Sequence, residues 1–352
     1  MALIDNGIYV KGRRCFTPAT LDETFEKLRE HAGMAWIGLF QPSNQELDAV
    51  AREFDLHPLA VEDARVGHQR PKIERYGSTL FVVLRPAWYV DATETVHFGE
   101  IHLFVGPEFV VTVRQAARPE LGDVRHRMEQ SPALLSLGPE AVLYSVLDQV
   151  VDGYAPVTAG LENDIDEIED QLFAGDERVT RRIYELLGEV INFQRATSPL
   201  RTILEALLRG AEKYNTSEEI RARYRDVLDH ALRIAERADS FRVLLENALT
   251  VHSTLVTQQQ NEAMRELSEA SLAQSEETKK LSEQSIAQNE EIKKITSWAA
   301  ILFAPSLVGT VYGMNFTNMP ELDAEWGYPL SLLAMFGLAV TLWSVFKWRK
   351  WL

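Results

Sequence analysis

The chain has 352 residues, with 36 lysines and arginines against 52 aspartates and glutamates, and a net charge of −16. That balance excludes nucleic acid as the natural partner and suits cations. Cys15 is the sole cysteine, which excludes a disulfide framework. The charge is also segregated: residues 295–320 carry none, residues 326–346 carry none, and the acids between those runs balance the bases after them. The excess negative charge therefore lies before Ile295.

The N-terminus MALIDNGIYVKGRR lacks a long apolar core after a basic start, so no signal peptide is expected, and the large N-terminal part is expected to stay in the cytoplasm. Residues 1–138 read as an α/β domain. LDETFEKLREH and SNQELDAVAREF have the spacing of short amphipathic helices. In the second, Ser43 and Glu46 are placed for a capping box. TLFVVLRPAWYV and EIHLFVGPEFVVTV are rich in β-branched and aromatic residues and are broken by Pro or Gly, which is the pattern of strands.

From Pro139 onward the strand signals stop. Residues 139–216 read as two long helices, each with one apolar face. The first is expected to bend or break near Gly153–Pro156. A third helix starts near Ser217, and no Pro or Gly follows until after Ala304. Residues 217–294 thus read as a stalk. A helix from Ser217 through the next apolar run would be roughly 130 Å long at about 1.5 Å per residue, and a polar helix of that length needs partners.

The stalk contains a repeat of 14 residues over 257–298: TQQQNEAMRELSEA, SLAQSEETKKLSEQ and SIAQNEEIKKITSW. Two heptads make one period, so the repeat keeps coiled-coil phase. The seam at 3-4 spacing reads Met264, Leu267, Ser271, Gln274, Thr278, Leu281, Ser285, Gln288, Ile292 and Ile295. Polar layers this frequent fit either a wide bundle around a wet axis or a solvated stalk with polar register-setters.

Residues 295–314 and 328–346 are each long enough to cross a hydrocarbon core of ~30 Å as a helix. Lys347, Arg349 and Lys350 in the tail 347–352, with Lys293 and Lys294 before the first span, put both ends of this hairpin on the cytoplasmic side. The loop 315–327, with Glu321, Asp323 and Glu325, is then external. Trp298, Trp326, Tyr328, Trp348 and Trp351 fall where interfacial aromatic belts lie. Carried into the first span, the seam gives Ala299, Leu302, Ser306 and Gly309, small or apolar positions suited to close packing. Pro305 is expected to bend that span.

YGMNF followed by MPE, between two spans and before a short basic tail, resembles the CorA family of magnesium transporters. HPLAVEDARVGHQRPKIE (residues 57–74) and YRDVLDHA resemble it too, so the likeness runs in order along nearly the whole chain. The resemblance implies a homopentameric cation channel of the inner (plasma) membrane, both termini cytoplasmic, with an α/β domain on a funnel of long helices and the first span lining the pore. It implies Mg2+ as transported and regulatory ion, with Co2+ and Ni2+ as secondary substrates; no organic cofactor is expected. It puts the selectivity filter at Gly313, Met314 and Asn315. It puts the pore and gate at Ile292, Ile295, Leu302 and Ser306, whose apolar members also suit a plain helix core. Regulatory divalent-ion ligands fall on Glu62, Asp63, Asp148 and Asp226, an acid of one subunit facing an acid of its neighbour.

The chemistry of the motif stands beside that likeness. Mg2+ dehydrates reluctantly and keeps several waters. Asn315 offers an amide oxygen to such water without a charge that would trap the ion. Gly313 is expected to let the helix end turn through positive φ. The helix C-terminus presents carbonyls, and the acidic loop concentrates cations. The stalk departs from the family. QNEAMRELS and QNEEIKKIT both resemble the approach to the membrane, 28 residues apart, so the stalk is longer by ~42 Å if helical. Thr250 stands near where some relatives carry a further acid. The rival readings are a zinc transporter of the same superfamily and a membrane-anchored coiled-coil tether. A Mg2+-dependent enzyme is disfavoured, because no phosphate loop, metal-spaced His pair or nucleophile motif occurs.

Overall fold

The structure is a computed structural model and describes residues 3–116, 118–176, 178–315, 319 and 324–352. It divides into two units, Met1–Leu255 and Val256–Leu352. In chain order the first unit begins with β1 (Leu3–Val10), β2 (Arg13–Phe16), α1 (Leu21–Glu30), β3 (Met34–Phe40), α2 (Asn44–Glu53), α3 (Pro58–Val66), β4 (Lys72–Tyr76) and β5 (Thr79–Leu84). A hairpin of β6 (Ala87–Val90) and β7 (Thr95–Phe98) precedes β8 (Ile101–Val105) and β9 (Phe109–Arg114). Then come α4 (Leu121–Glu129), the short α5 (Pro132–Leu135), α6 (Pro139–Asp152), α7 (Tyr154–Ala174), α8 (Val179–Gly210) and α9 (Glu218–Tyr312). The second unit holds the C-terminal part of α9, and α10 (Gly327–Trp348).

Strand alternation builds two cores on one sheet. The strand order is β2-β1-β3-β9-β8-β5-β4. Strands β3 and β9 run parallel, and the other neighbours are antiparallel. Successive side chains point to opposite faces. Leu80, Val82 and Leu84 join the core shared with α4 and α6 to α9, while Phe81 and Val83 join the core shared with α2 and α3. Helices cover both faces, so the strands read as unbroken apolar runs rather than as alternating ones. All of TLFVVL in β5 is buried.

Local signals place the helices. The capping box on α2 is present: Glu46 N–H donates to Ser43 Oγ at 3.3 Å, and Ser43 N–H donates back to Glu46 Oε2 at 2.9 Å. Gly153 separates α6 from α7, and Pro156 falls in the first turn of α7, where no helical hydrogen bond is lost. Helix α9 continues through Pro305. Up to Ala248 it buries Ile220, Tyr224, Val227, Phe241 and Leu245 within the first unit. From Thr257 to Thr296 every residue is exposed.

One guanidinium ties the β6–β7 hairpin to the helices behind it. Arg182 of α8 reaches Glu94 at 2.9 Å, Glu167 at 2.6 Å and Asp164 at 3.6 Å. Tyr89 donates its hydroxyl proton to Asp164. Gly160 makes room for the Tyr89 ring, because a Cβ there would lie 2.3 Å from Tyr89 Cδ1.

This geometry separates two glycines in helix interiors. An alanine gains up to ~1 kcal/mol of helix propensity over glycine. At Gly188 of α8 an added Cβ meets nothing within 4 Å, so Gly188→Ala should raise the thermal midpoint. Gly160→Ala should lower it, since overpacking costs about 1–3 kcal/mol and displaces Tyr89 from Asp164. Thermal unfolding of the two variants side by side checks the opposite signs.

Candidate functional site

Helix α9 stops at the residues singled out as the filter. Gly313 N–H donates to Gly309 O at 2.9 Å and to Thr310 O at 3.2 Å, and Met314 N–H donates to Val311 O at 3.4 Å. The last turn is therefore tightened toward i→i+3 bonding, as helix ends commonly are. Asn315 follows outside the helix and is exposed, as are Gly313 and Met314. Gly313 does not use the positive φ expected of it. Its missing side chain serves close approach instead: a Cβ would lie 3.1 Å from Gly309 O. Of the loop acids, Glu325 is exposed, and Glu321 and Asp323 lie outside the described residues.

The seam side of α9 is open. Ile292, Ile295 and Leu302 are 58%, 68% and 71% exposed. Ser306 is exposed too, its hydroxyl donating to Leu302 O at 3.2 Å. The buried residues of this stretch are Ser297 and Ile301, on another side of the helix. Gly309, counted on the seam from sequence, approaches Met335 of α10, whose Cε would lie 3.3 Å from an added Cβ. A stretch within α9, and α10, are each long and apolar enough to cross a membrane.

The acids of the first unit fall into separate places. Glu62 and Asp63 sit on α3, Glu62 exposed and Asp63 half-buried. Asp63 Oδ2 accepts from Lys72 Nζ at 2.6 Å, and Lys72 also reaches Glu74 at 3.1 Å. Desolvation opposes the charge on Lys72, but these two bonds hold its pKa above the ordinary value. Asp148 of α6 and Asp226 of α9 are neighbours. Partial burial first, then the charges of Asp152 and Asp226, push Asp148 above the usual carboxylate range, with His230 and Arg127 pulling the other way.

Sequence reading missed Asp152 and His230. The signal was present, since Asp148/Asp152 and Asp226/His230 are both i,i+4 pairs and share helix faces. It also missed Glu94, Asp164 and Glu167, three carboxylates whose nearest oxygens lie within 4.8 Å of one another. Arg182 already supplies the cation there, and the group reads as a structural clamp.

The fold and the motif are not isolated. The family model described as CorA-like Mg2+ transporter protein matches residues 31–274 and 269–348. The chain is 26% identical over 333 residues to the cobalt/magnesium transport protein CorA of Thermotoga maritima, covering 94% of this chain and 87% of that one. The complete CorA magnesium transporter structure from Methanocaldococcus jannaschii superposes with a TM-score of 0.51 at 18% identity, covering 91% of this chain and 92% of that one. The structure of full-length CmaX gives 0.59, also at 18% identity, covering 99% and 98%. These two likenesses carry the expected fold class: an α/β N-terminal domain, long helices and two C-terminal helices of span length. The family match takes in the α/β domain, the stalk and both apolar helices, and the chain belongs to the CorA-like Mg2+ transporter family.

Proposed function

We propose that this chain is a homopentameric channel that moves Mg2+ across the inner membrane, with Co2+ and Ni2+ as secondary substrates, and that cytoplasmic Mg2+ gates it. The observation that carries this reading is the exposed Gly313–Met314–Asn315 turn where α9 ends, between two helices of span length, in a chain of this family. A ring of Asn315 amides takes hydrated Mg2+ by accepting from its waters, and the absence of net charge lets the ion leave again. The exposed Ile292, Ile295 and Leu302 rings close the path by excluding water when the helices draw together. Both termini are cytoplasmic, and the loop holding Glu321, Asp323 and Glu325 gathers cations outside.

Gating follows from repulsion. Acids of neighbouring subunits at Glu62, Asp63, Asp148 and Asp226 repel when metal-free, and a divalent ion neutralises them. An ion that binds only the closed arrangement stabilises it by mass action.

Mg2+ uptake into liposomes, with Co2+ and Zn2+ as competitors, tests the transport reading against the zinc and tether alternatives. Asn315→Ala should abolish that uptake and leave the oligomer's mass unchanged; wild-type flux from this variant would remove Asn315 from the path. Millimolar Mg2+ should protect the first unit from protease, and Asp63→Ala with Asp226→Ala should lose most of that protection. Equal protection of the double variant would place the regulatory ion elsewhere.

Asp148 gives a pH test. Its folded-state pKa lies above the unfolded one, so ionisation at neutral pH opposes folding, and that penalty disappears once acid protonates the group in both states. Asp148→Asn should therefore raise the thermal midpoint of the metal-free protein at pH 7. The gain should shrink as pH falls through the carboxylate range, which scans at several pH values measure directly.

A further inference from the structure

A cavity that the proposed transport path does not use lies in the first unit. It measures about 660 Å3, within the ~300–1,000 Å3 range of small-molecule sites. The β4–β5 hairpin, the start of α6, the end of α8 and the start of α9 enclose it. Leu80, Leu137, Leu143 and Leu207 give it apolar walls. Packed interiors leave few gaps wider than a water molecule, so leucines around a recess this wide suit a ligand with an apolar body.

The polar groups of the lining sort by exposure. Arg75 and Tyr214, both exposed, mark the mouth, with the guanidinium 3.7 Å from the ring centroid. Stacking holds the plane of the guanidinium fork and leaves its N–H edge open. Among the described residues Arg75 makes no ion pair and no side-chain hydrogen bond. Lys213 lies 5.4 Å from the same ring and is likewise without an ion pair among them. In a chain of net charge −16, two uncompensated cations at the mouth of a cavity point to an anionic ligand group. Glu140, at the start of α6, is half-buried. Its Oε1 accepts from the hydroxyl of the buried Thr216 at 3.0 Å, and its backbone carbonyl accepts from the hydroxyl of the buried Tyr224 at 3.3 Å. Its Oε2 accepts from no described group. Partial burial pushes this carboxyl above the usual carboxylate range, while the Thr216 bond and the charge of Arg75 pull the other way.

We propose that this cavity binds a nucleoside phosphate whose base bears an exocyclic amine: the phosphate on Arg75 and Lys213, the base between the leucines, the amine donating to Glu140 Oε2. The Arg75 fork matches phosphate oxygens bidentately. A flat ring system covers apolar walls with few rotatable bonds to freeze. The amine gives Oε2 the donor it lacks. An aliphatic chain with the same anionic head would press carbon against Oε2, and burying a polar atom without a hydrogen bond costs free energy. That difference favours a nucleotide over a fatty acid. The site does not rest on the transport reading above.

The test uses the full chain in detergent with divalent metal chelated, so that no ion bridges phosphate to the acids. Adenosine monophosphate is the probe, followed by titration calorimetry. One equivalent per chain should bind saturably and raise the thermal midpoint by mass action. Arg75→Ala, at an exposed position, should keep the parent's ligand-free midpoint and bind ~tenfold more weakly or worse, the loss expected for charge-assisted hydrogen bonds. Leu207→Trp, which fills the cavity, should abolish binding. Inosine monophosphate, which lacks the amine, should bind the parent severalfold more weakly, and the two nucleotides should bind Glu140→Ala alike. That comparison needs no variant to show the preference itself. No binding to the parent, or parental affinity in both Arg75→Ala and Leu207→Trp, overturns the site. Equal affinity of the parent for both nucleotides overturns the placement of the base on Glu140. Decanoate that binds more tightly than the nucleotide, and is lost in Leu207→Trp, overturns the nucleotide and makes the cavity a fatty-acid site.

Discussion

An α-helix satisfies its own backbone but cannot cover its own apolar side chains. Helix α9 meets that constraint in two ways. Before Leu255 its apolar face is buried within the first unit, through Ile220, Tyr224, Phe241 and Leu245. Beyond it, Met264, Leu267, Leu281, Ile292 and Ile295 stay in contact with solvent. Helix propensity alone does not hold so long a stretch, because most helical stability in proteins comes from packing an amphipathic face. Under the proposed homo-oligomer, other copies of the chain cover the rest of α9.

The proposed ion ligands are of two chemical kinds. Along the second unit the oxygens proposed for an ion are neutral: the Asn315 amide and the last carbonyls of α9. In the first unit the proposed ligands are carboxylates, among which Asp148 is held above the usual carboxylate range by partial burial and then by the charges of Asp152 and Asp226. Neutral oxygens bind weakly and release, which suits passage; charged oxygens hold, which suits sensing.

Legibility in the sequence tracked the range of the interaction. The capping box of Ser43 and Glu46 spans three residues and is visible as a pattern. So are the buried strands β5 and β8, because a sheet covered on both faces demands unbroken apolar runs. The break at Gly153 needed no tertiary knowledge. The Gly-Met-Asn motif was legible by likeness, but its mechanics were not: Gly313 serves a close approach to Gly309 O rather than a left-handed turn. The group of Asp148, Asp152, Asp226 and His230 depends on how α6 packs against α9. The Arg182 clamp joins residues 88 positions apart through Glu94. No local window contains either.

Lys72 gives the acid site on α3 a character of its own. The Asp63 carboxylate is already engaged, at 2.6 Å, by an ammonium that the same chain supplies. An ion arriving from solution therefore competes with a tethered counter-ion. A sodium or potassium ion that takes its place brings the same single charge and forfeits the tether, so the exchange gains nothing. A divalent ion brings twice the charge to the carboxylates and frees Lys72 for Glu74, which it already touches at 3.1 Å. On the proposal that Asp63 takes the regulatory ion, the lysine sets a threshold that abundant monovalent salt does not cross.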